Sequence, residues 1–145
     1  YPPLARKMGL KPDQQDLDLI KQPLNFLGVN YYTRLLATHD PSNPILSHTE
    51  ARAVKKRAPT SEMGGEIYPD GLYEVLMRLH KGYGKPTLYV TENGVAFEDN
   101  VTKEGSVQDD DRIVFIRDHL ISVYRAIKDG ATVKGYSVWS ISDNF

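Results

Sequence analysis

Three apolar runs alternate with two amphipathic segments along this sequence, and that alternation restricts the fold more than any other feature. Residues 24–32 (LNFLGVNYY), 87–91 (TLYVT) and 133–139 (VKGYSVW) are rich in aromatic and branched side chains, which is typical of buried strands. Residues 70–81 and 109–128 have the apolar spacing of helices. Strands joined through helices pair in parallel. The sequence therefore predicts an α/β fold whose apolar strands are covered by helices.

The second predicted helix is the clearest element. Asp109, Asp110 and Asp111 offer an N-cap and first-turn acids, which suit the positive end of the helix dipole. Gly130 supplies the stop. An apolar stripe at helical spacing is formed by Ile113, Ile116, Leu120, Val123, Tyr124 and Ile127.

Residues 34–65 show neither a strand nor a helix pattern. They contain Pro41, Pro44 and Pro59 and show little periodicity. The segment is predicted to be one long loop, and loops of this length inside a domain are usually functional or mobile.

Polar and aromatic residues stand at the carboxyl end of each predicted strand. The strand ends read Asn30-Tyr31-Tyr32, Glu92-Asn93, and Trp139-Ser140 followed by Asp143-Asn144. In a (β/α) barrel the active site lies at these ends, so the groups would share one face. Aromatic faces pack against the C–H surface of sugars and polar groups bind their hydroxyls, so the pattern suits a carbohydrate ligand. Position alone leaves Glu92 as either a catalytic carboxylate or a rim salt-bridge partner, and Trp139 as either a sugar platform or a core aromatic.

Several motifs carry a family resemblance. Residues 89–94 (YVTENG) resemble the nucleophile signature of the family-1 glycoside hydrolases, the β-glucosidase family. Four further segments of this sequence resemble other parts of that barrel: residues 25–32 its sixth strand, 66–72 the entry to its sixth helix, 110–120 its seventh helix and 135–145 its eighth strand. The resemblance implies that residues 1–145 are a partial domain, strands six to eight of a (β/α)8 TIM barrel, truncated at both ends.

The resemblance also implies roles for individual residues. Glu92 would be the nucleophile that forms a glycosyl-enzyme in a retaining β-glycosidase. Tyr32 would hydrogen-bond Glu92 and favour its ionised form, and Asn30 would help to position the catalytic carboxyls. Trp139 would form the platform beneath the sugar. Asn93 would bind substrate together with Trp139, and it would also shape the turn after the nucleophile.

The acid/base of that family lies in an Asn-Glu-Pro motif, and this sequence contains none. Activity on terminal β-linked sugars is therefore expected only together with the N-terminal part of the barrel, as its partner. The alternative is a non-catalytic barrel fragment that acts as a binding or assembly module. A phospho-β-glycosidase also stays open.

Charge and composition exclude other classes of function. The net charge of −1 argues against a nucleic-acid binder, and no apolar run is long enough to cross a bilayer. The sequence has no cysteine, and its four histidines show no metal-ligand spacing. We expect no cofactor, no metal and no membrane partner, and a cytoplasmic location.

Overall fold

The structure, a computed structural model, describes residues 8–11, 13–42, 48–50 and 59–140, with only the backbone at 48–50. The elements in chain order are α1 (Gln14–Ile20), β1 (Leu27–Asn30), β2 (Ala37–His39), β3 (His48–Glu50), α2 (Pro69–Gly82), β4 (Leu88–Asn93), α3 (Asp110–Lys128) and β5 (Val133–Val138). The chain divides into two compact units, Tyr1–Leu24 with Leu35–Lys56 and Asn25–Arg34 with Arg57–Phe145.

The second unit is built on a parallel sheet in which β4 lies between β1 and β5. Leu27 pairs with Leu88, and Leu88 pairs in turn with Val133. The predicted α/β alternation and the parallel pairing are confirmed. Because parallel strands run in one direction, β1, β4 and β5 end at the same edge of the sheet.

Helices α2 and α3 share a core with one face of this sheet. Leu72 and Leu76 of α2, Leu88 of β4 and Ala126 of α3 have no exposed surface. Burying each of the three leucine side chains contributes about 1.5–3 kcal/mol. In α2 the apolar face that predicted the helix packs against the sheet. In α3 the predicted stripe is largely exposed, with only Val123 buried, and the helix instead buries the face that carries Phe115, His119, Ser122, Val123 and Ala126.

The other face of the sheet differs from the prediction that helices cover the strands. Along β4, Leu88 and Val90 are buried, but Tyr89 and Thr91 are exposed. The core of the described residues joins both helices to the Leu88 and Val90 side of β4. The uncovered side carries an aromatic pair instead, Phe26 edge-on to Tyr89 with ring centroids 5.2 Å apart.

The prediction of one long loop over residues 34–65 is wrong, because two short strands of the first unit lie within it. β2 and β3 pair antiparallel there, with Ala37 opposite Glu50. α1 was not predicted either, because a seven-residue helix is too short to show a period. It buries no residue and begins instead at a local capping box, in which Asp13 and Asp16 each accept the other's backbone N–H.

No helix within the described ranges has both the length and the apolar character needed to span a membrane.

Candidate active site

Glu92 lies near the carboxyl end of the central strand, β4, and is half-buried. The Tyr32 hydroxyl, just beyond β1, donates to Glu92 Oε2 at 2.6 Å. Partial burial, together with the adjoining Glu92 carboxylate, raises the pKa of Tyr32 to about 12. The phenol therefore keeps its proton at neutral pH and remains a donor to the carboxylate.

The backbone of β1 also binds this part of β4. Tyr31 N–H donates to the Glu92 carbonyl at 2.9 Å, and Asn30 pairs with Glu92 in the sheet register. The Asn30 side chain accepts a hydrogen bond from Thr91 Oγ1 at 2.7 Å. Asn30, Tyr32 and Glu92, which were predicted to act together, thus lie at one end of adjacent strands.

Asn93 has an environment that differs from its predicted contact with substrate. Its side chain is fully buried. Its amide nitrogen donates to the Tyr31 carbonyl at 2.6 Å, and its amide oxygen accepts from the Tyr136 hydroxyl. Because both ends of the amide bind neighbouring strands, Asn93 serves as a structural link here. The sequence did not predict this burial, because Glu92 and Asn93 are adjacent polar residues and no sequence pattern shows which of the two faces the core.

Trp139 follows β5 at the same edge of the sheet and is 47% exposed. Its N–H donates to the Asn93 carbonyl at 3.0 Å, and its carbonyl occupies the space that a side chain at Gly94 would need. The Trp139–Ser140 peptide is cis. Trp139 thus lies at the edge of the sheet that carries Glu92, and its role as a sugar platform stays a prediction. Asp143 and Asn144, predicted for the same face, lie outside the described residues.

Glu66 shows what a structural carboxylate looks like in this chain. Arg34 binds it through two bonds of 2.7 and 2.9 Å, and the guanidinium lies 3.7 Å from the centre of the Tyr68 ring. Glu92, by contrast, forms no salt bridge with any Lys or Arg in the described part of the chain. The interpretation of Glu92 as a rim salt-bridge partner therefore finds no support among these residues.

Arg112, at the start of α3, organises the loop that follows β4. Its guanidinium donates to the carbonyls of Val95 and Phe97 at 3.3 and 3.2 Å and pairs with Asp99 at 2.9 Å. It also pairs with Asp109, whose carboxylate makes no hydrogen bond to the helix N-terminus. Asp109 is the N-cap residue, as predicted, but its carboxylate binds the Arg112 guanidinium instead of a backbone N–H. No sequence signal singled out Arg112 for this role.

Within the residues that the structure describes, no three His, Asp or Glu side chains gather as metal ligands would. The site offers a carboxylate oriented by a phenol and an exposed indole on the next strand. A carboxylate held in this way can act as a nucleophile or a base.

Comparison with known proteins supplies the context. A sequence profile described as Glycosyl hydrolase family 1 matches residues 4–145. Beta-glucosidase A of Acetivibrio thermocellus is 38% identical over 98% of this chain, and the 1,4-beta-D-glucan glucohydrolase of Thermotoga neapolitana is 40% identical over all of it. The chain spans about a third of the length of these relatives, 32% and 34% respectively.

Solved structures agree. A family 1 b-glucosidase from Thermotoga maritima superposes with a TM-score of 0.82 over 90% of this chain, at 37% identity, and the match covers 29% of that protein. The AHE enzyme from Alicyclobacillus herbarius gives 0.85 over the whole chain, again at 37% identity, and 32% of that protein. The structural relatives are TIM barrels, of which this chain matches a part. The chain belongs to glycosyl hydrolase family 1.

Proposed function

We propose that this chain is the nucleophile-bearing part of a retaining β-glycosidase, with Glu92 as the nucleophile. The observation that carries the proposal is the Tyr32–Glu92 hydrogen bond of 2.6 Å at the carboxyl end of a central parallel strand. In this proposal β1, β4 and β5 are strands six, seven and eight of a (β/α)8 barrel. Their order supports it, because each strand pairs with the next one through a helical crossover.

A retaining enzyme needs two carboxyl groups about 5–5.5 Å apart, one to attack the anomeric carbon and one to protonate the leaving oxygen. Glu92 would attack and form the glycosyl-enzyme, while Tyr32 holds the attacking carboxylate in place. Water would then release the sugar, with the second carboxyl acting as base. That second group would come from the part of the barrel with the Asn-Glu-Pro motif, which this sequence lacks. We call the two parts together the assembled barrel.

The proposed substrate is a terminal β-linked sugar. Relatives bear the names beta-glucosidase and 1,4-beta-D-glucan glucohydrolase, and structures of the Thermotoga maritima beta-glucosidase hold azafagomine or deoxynojirimycin. The exposed indole of Trp139 would lie under the sugar ring, where its flat face can cover C–H groups. Asn30 would help to orient the carboxyls from the neighbouring strand. A cytoplasmic location stays a prediction.

A non-catalytic binding or assembly role is the second candidate, and the missing Asn-Glu-Pro motif favours it. A substitution of the proposed nucleophile distinguishes the catalytic from the non-catalytic function. In the assembled barrel, Glu92→Gln should abolish turnover of an aryl β-glucoside while the circular dichroism spectrum stays unchanged. Glu98→Gln, at an exposed carboxylate six positions along the chain, is the matched control and should retain activity. Equal activity of both variants would exclude Glu92 as the nucleophile.

A further inference from the structure

The sheet is irregular on both sides of β4 where Glu92 lies. Pairing with β1 shifts register between Val29 and Asn30, and pairing with β5 shifts between Val90 and Asn93. Such irregularities interrupt the hydrogen-bond ladder and bend the strand. The regular ladder is therefore insufficient to fix Glu92, and other bonds must hold the end of β4.

The Asn93 amide supplies two of those bonds. It donates to the Tyr31 carbonyl on the β1 side and accepts from the Tyr136 hydroxyl on the β5 side. The N–H of Tyr31 meanwhile donates to the Glu92 carbonyl at 2.9 Å. One residue, Tyr31, is thus bonded to both Glu92 and Asn93, and the next residue is Tyr32, whose hydroxyl binds the Glu92 side chain.

The Tyr136 hydroxyl supplies the donor that the buried oxygen of this amide needs. An asparagine side chain can rotate to exchange its oxygen and nitrogen, and only the observed orientation gives the Tyr31 carbonyl a donor. The Tyr31 carbonyl, which can only accept, selects that orientation, and the Tyr136 hydroxyl then donates to the amide oxygen. Burial raises the pKa of Tyr136 to about 12, so the hydroxyl stays protonated over the usual assay range.

We propose that Tyr136 is a positioning residue for catalysis, which acts on Glu92 through the Asn93 amide; this rests on the proposed function of Glu92. Removing the hydroxyl would leave the buried amide oxygen without this donor. The Asn93 side chain would then shift toward another donor, its bond to the Tyr31 carbonyl would weaken, and the end of β4 would loosen against β1. Glu92 would spend less time in the geometry that attacks the anomeric carbon, while substrate contacts elsewhere persist.

The test is Tyr136→Phe in the assembled barrel, assayed with an aryl β-glucoside at a temperature where the variant is fully folded. We expect kcat to fall about tenfold or more while KM stays within about threefold, because small misplacements of a reacting group lower the rate more than the binding. The matched control is Tyr73→Phe, which removes a hydroxyl bonded to Asp129 at 2.6 Å between α2 and the end of α3. Its kcat should stay within about twofold of wild type. Placing 3-fluorotyrosine at position 136, which keeps ring and hydroxyl, should restore kcat.

Two outcomes overturn the proposal. One is a Tyr136→Phe variant with wild-type kcat, whatever its melting temperature. The other is a fall in kcat that Tyr73→Phe reproduces to the same extent, which would mean a general loss of stability. If Tyr136→Phe does not fold, Asn93→Ser opens the same bond from the acceptor side and is judged by the same kcat and KM criteria. Failure of wild-type Glu92 to accept a fluorosugar label would count against the proposed function instead, so the two failures are distinguishable.

Discussion

Gly94→Ala should separate the ends of β4 and β5. A methyl group at position 94 would overlap the carbonyl of Trp139, a backbone atom that cannot rotate out of the way. The strand ends would have to move apart, and the hydrogen bond of 3.0 Å from Trp139 N–H to the Asn93 carbonyl would lengthen or break. Trp139 would then leave its position beside the end of β4.

The expected loss of stability follows from two contributions. Forcing an extra methyl group into a filled site costs about 1–3 kcal/mol. Losing the backbone hydrogen bond adds about 0.5–1.5 kcal/mol. We therefore expect the free energy of unfolding to fall by about 2–4 kcal/mol, the larger values applying if the strand ends cannot relax.

The assay is a urea titration followed by tryptophan fluorescence, since Trp139 is the single tryptophan of this chain. The matched control is Gly82→Ala, at the last residue of α2, where an added methyl group would meet no atom within 4 Å. The control should leave the midpoint unchanged or raise it slightly, because alanine favours a helix by about 0.5–1 kcal/mol over glycine. A Gly94→Ala chain with the wild-type midpoint and emission maximum would refute the steric argument.

Three further predictions concern the site, the core and the chain as a whole. Tyr32→Phe in the assembled barrel should lower kcat about tenfold by removing the donor to Glu92, which is less than the full value of a charged hydrogen bond because Tyr32 is 38% exposed. The control Tyr83→Phe, at an exposed tyrosine, should leave kcat unchanged, and equal kcat values for the two variants would contradict the role of Tyr32. Burial lowers the pKa of His119 from its ordinary value of 6.5. Just below about pH 6.5 the imidazole of the unfolded chain therefore binds a proton, while that of the folded chain stays neutral. Stability should therefore fall as the pH drops below about 6.5, and His119→Phe should flatten that dependence in urea titrations at several pH values; a wild-type slope in the variant would count against it. The chain alone should hydrolyse aryl β-glucosides at least about 10²–10⁴-fold more slowly than the assembled barrel, because it lacks the proposed proton donor; robust turnover by the purified chain would show that assignment to be mistaken.

The parts of the fold that were predictable are those fixed by a long apolar period. α3 was predicted over residues 109–128 and extends over Asp110–Lys128, because apolar residues recur at helical spacing along it. The face that it buries was not predicted, since the stripe used for the prediction is mostly exposed. β4 was predicted over 87–91, with a turn at Glu92-Asn93-Gly94, but the strand includes Glu92 and Asn93 and ends before Gly94. Boundaries of this kind depend on hydrogen bonds to neighbouring strands, which a single sequence does not display.

Elements that depend on local or distant partners were not predictable in this way. α1 begins at a capping box and buries nothing, so no apolar stripe marks it. The buried Asn93 amide is hydrogen-bonded to Tyr31 and Tyr136, which are 62 and 43 positions away. The Tyr32–Glu92 bond also joins residues 60 positions apart, and family resemblance alone suggested it. Polar side chains at strand ends thus indicate a site, while their roles depend on packing.

The most direct test of the central proposal is chemical labelling of the nucleophile. The assembled barrel is incubated with a 2-deoxy-2-fluoro-β-glucoside that has a good leaving group, and the trapped sugar is located by mass spectrometry of proteolytic peptides. A control incubation with excess non-fluorinated competitor should protect against labelling. The account predicts one sugar on Glu92 and loss of the label in Glu92→Gln. A sugar found on Glu66 or Glu98, with Glu92 unmodified, would contradict it.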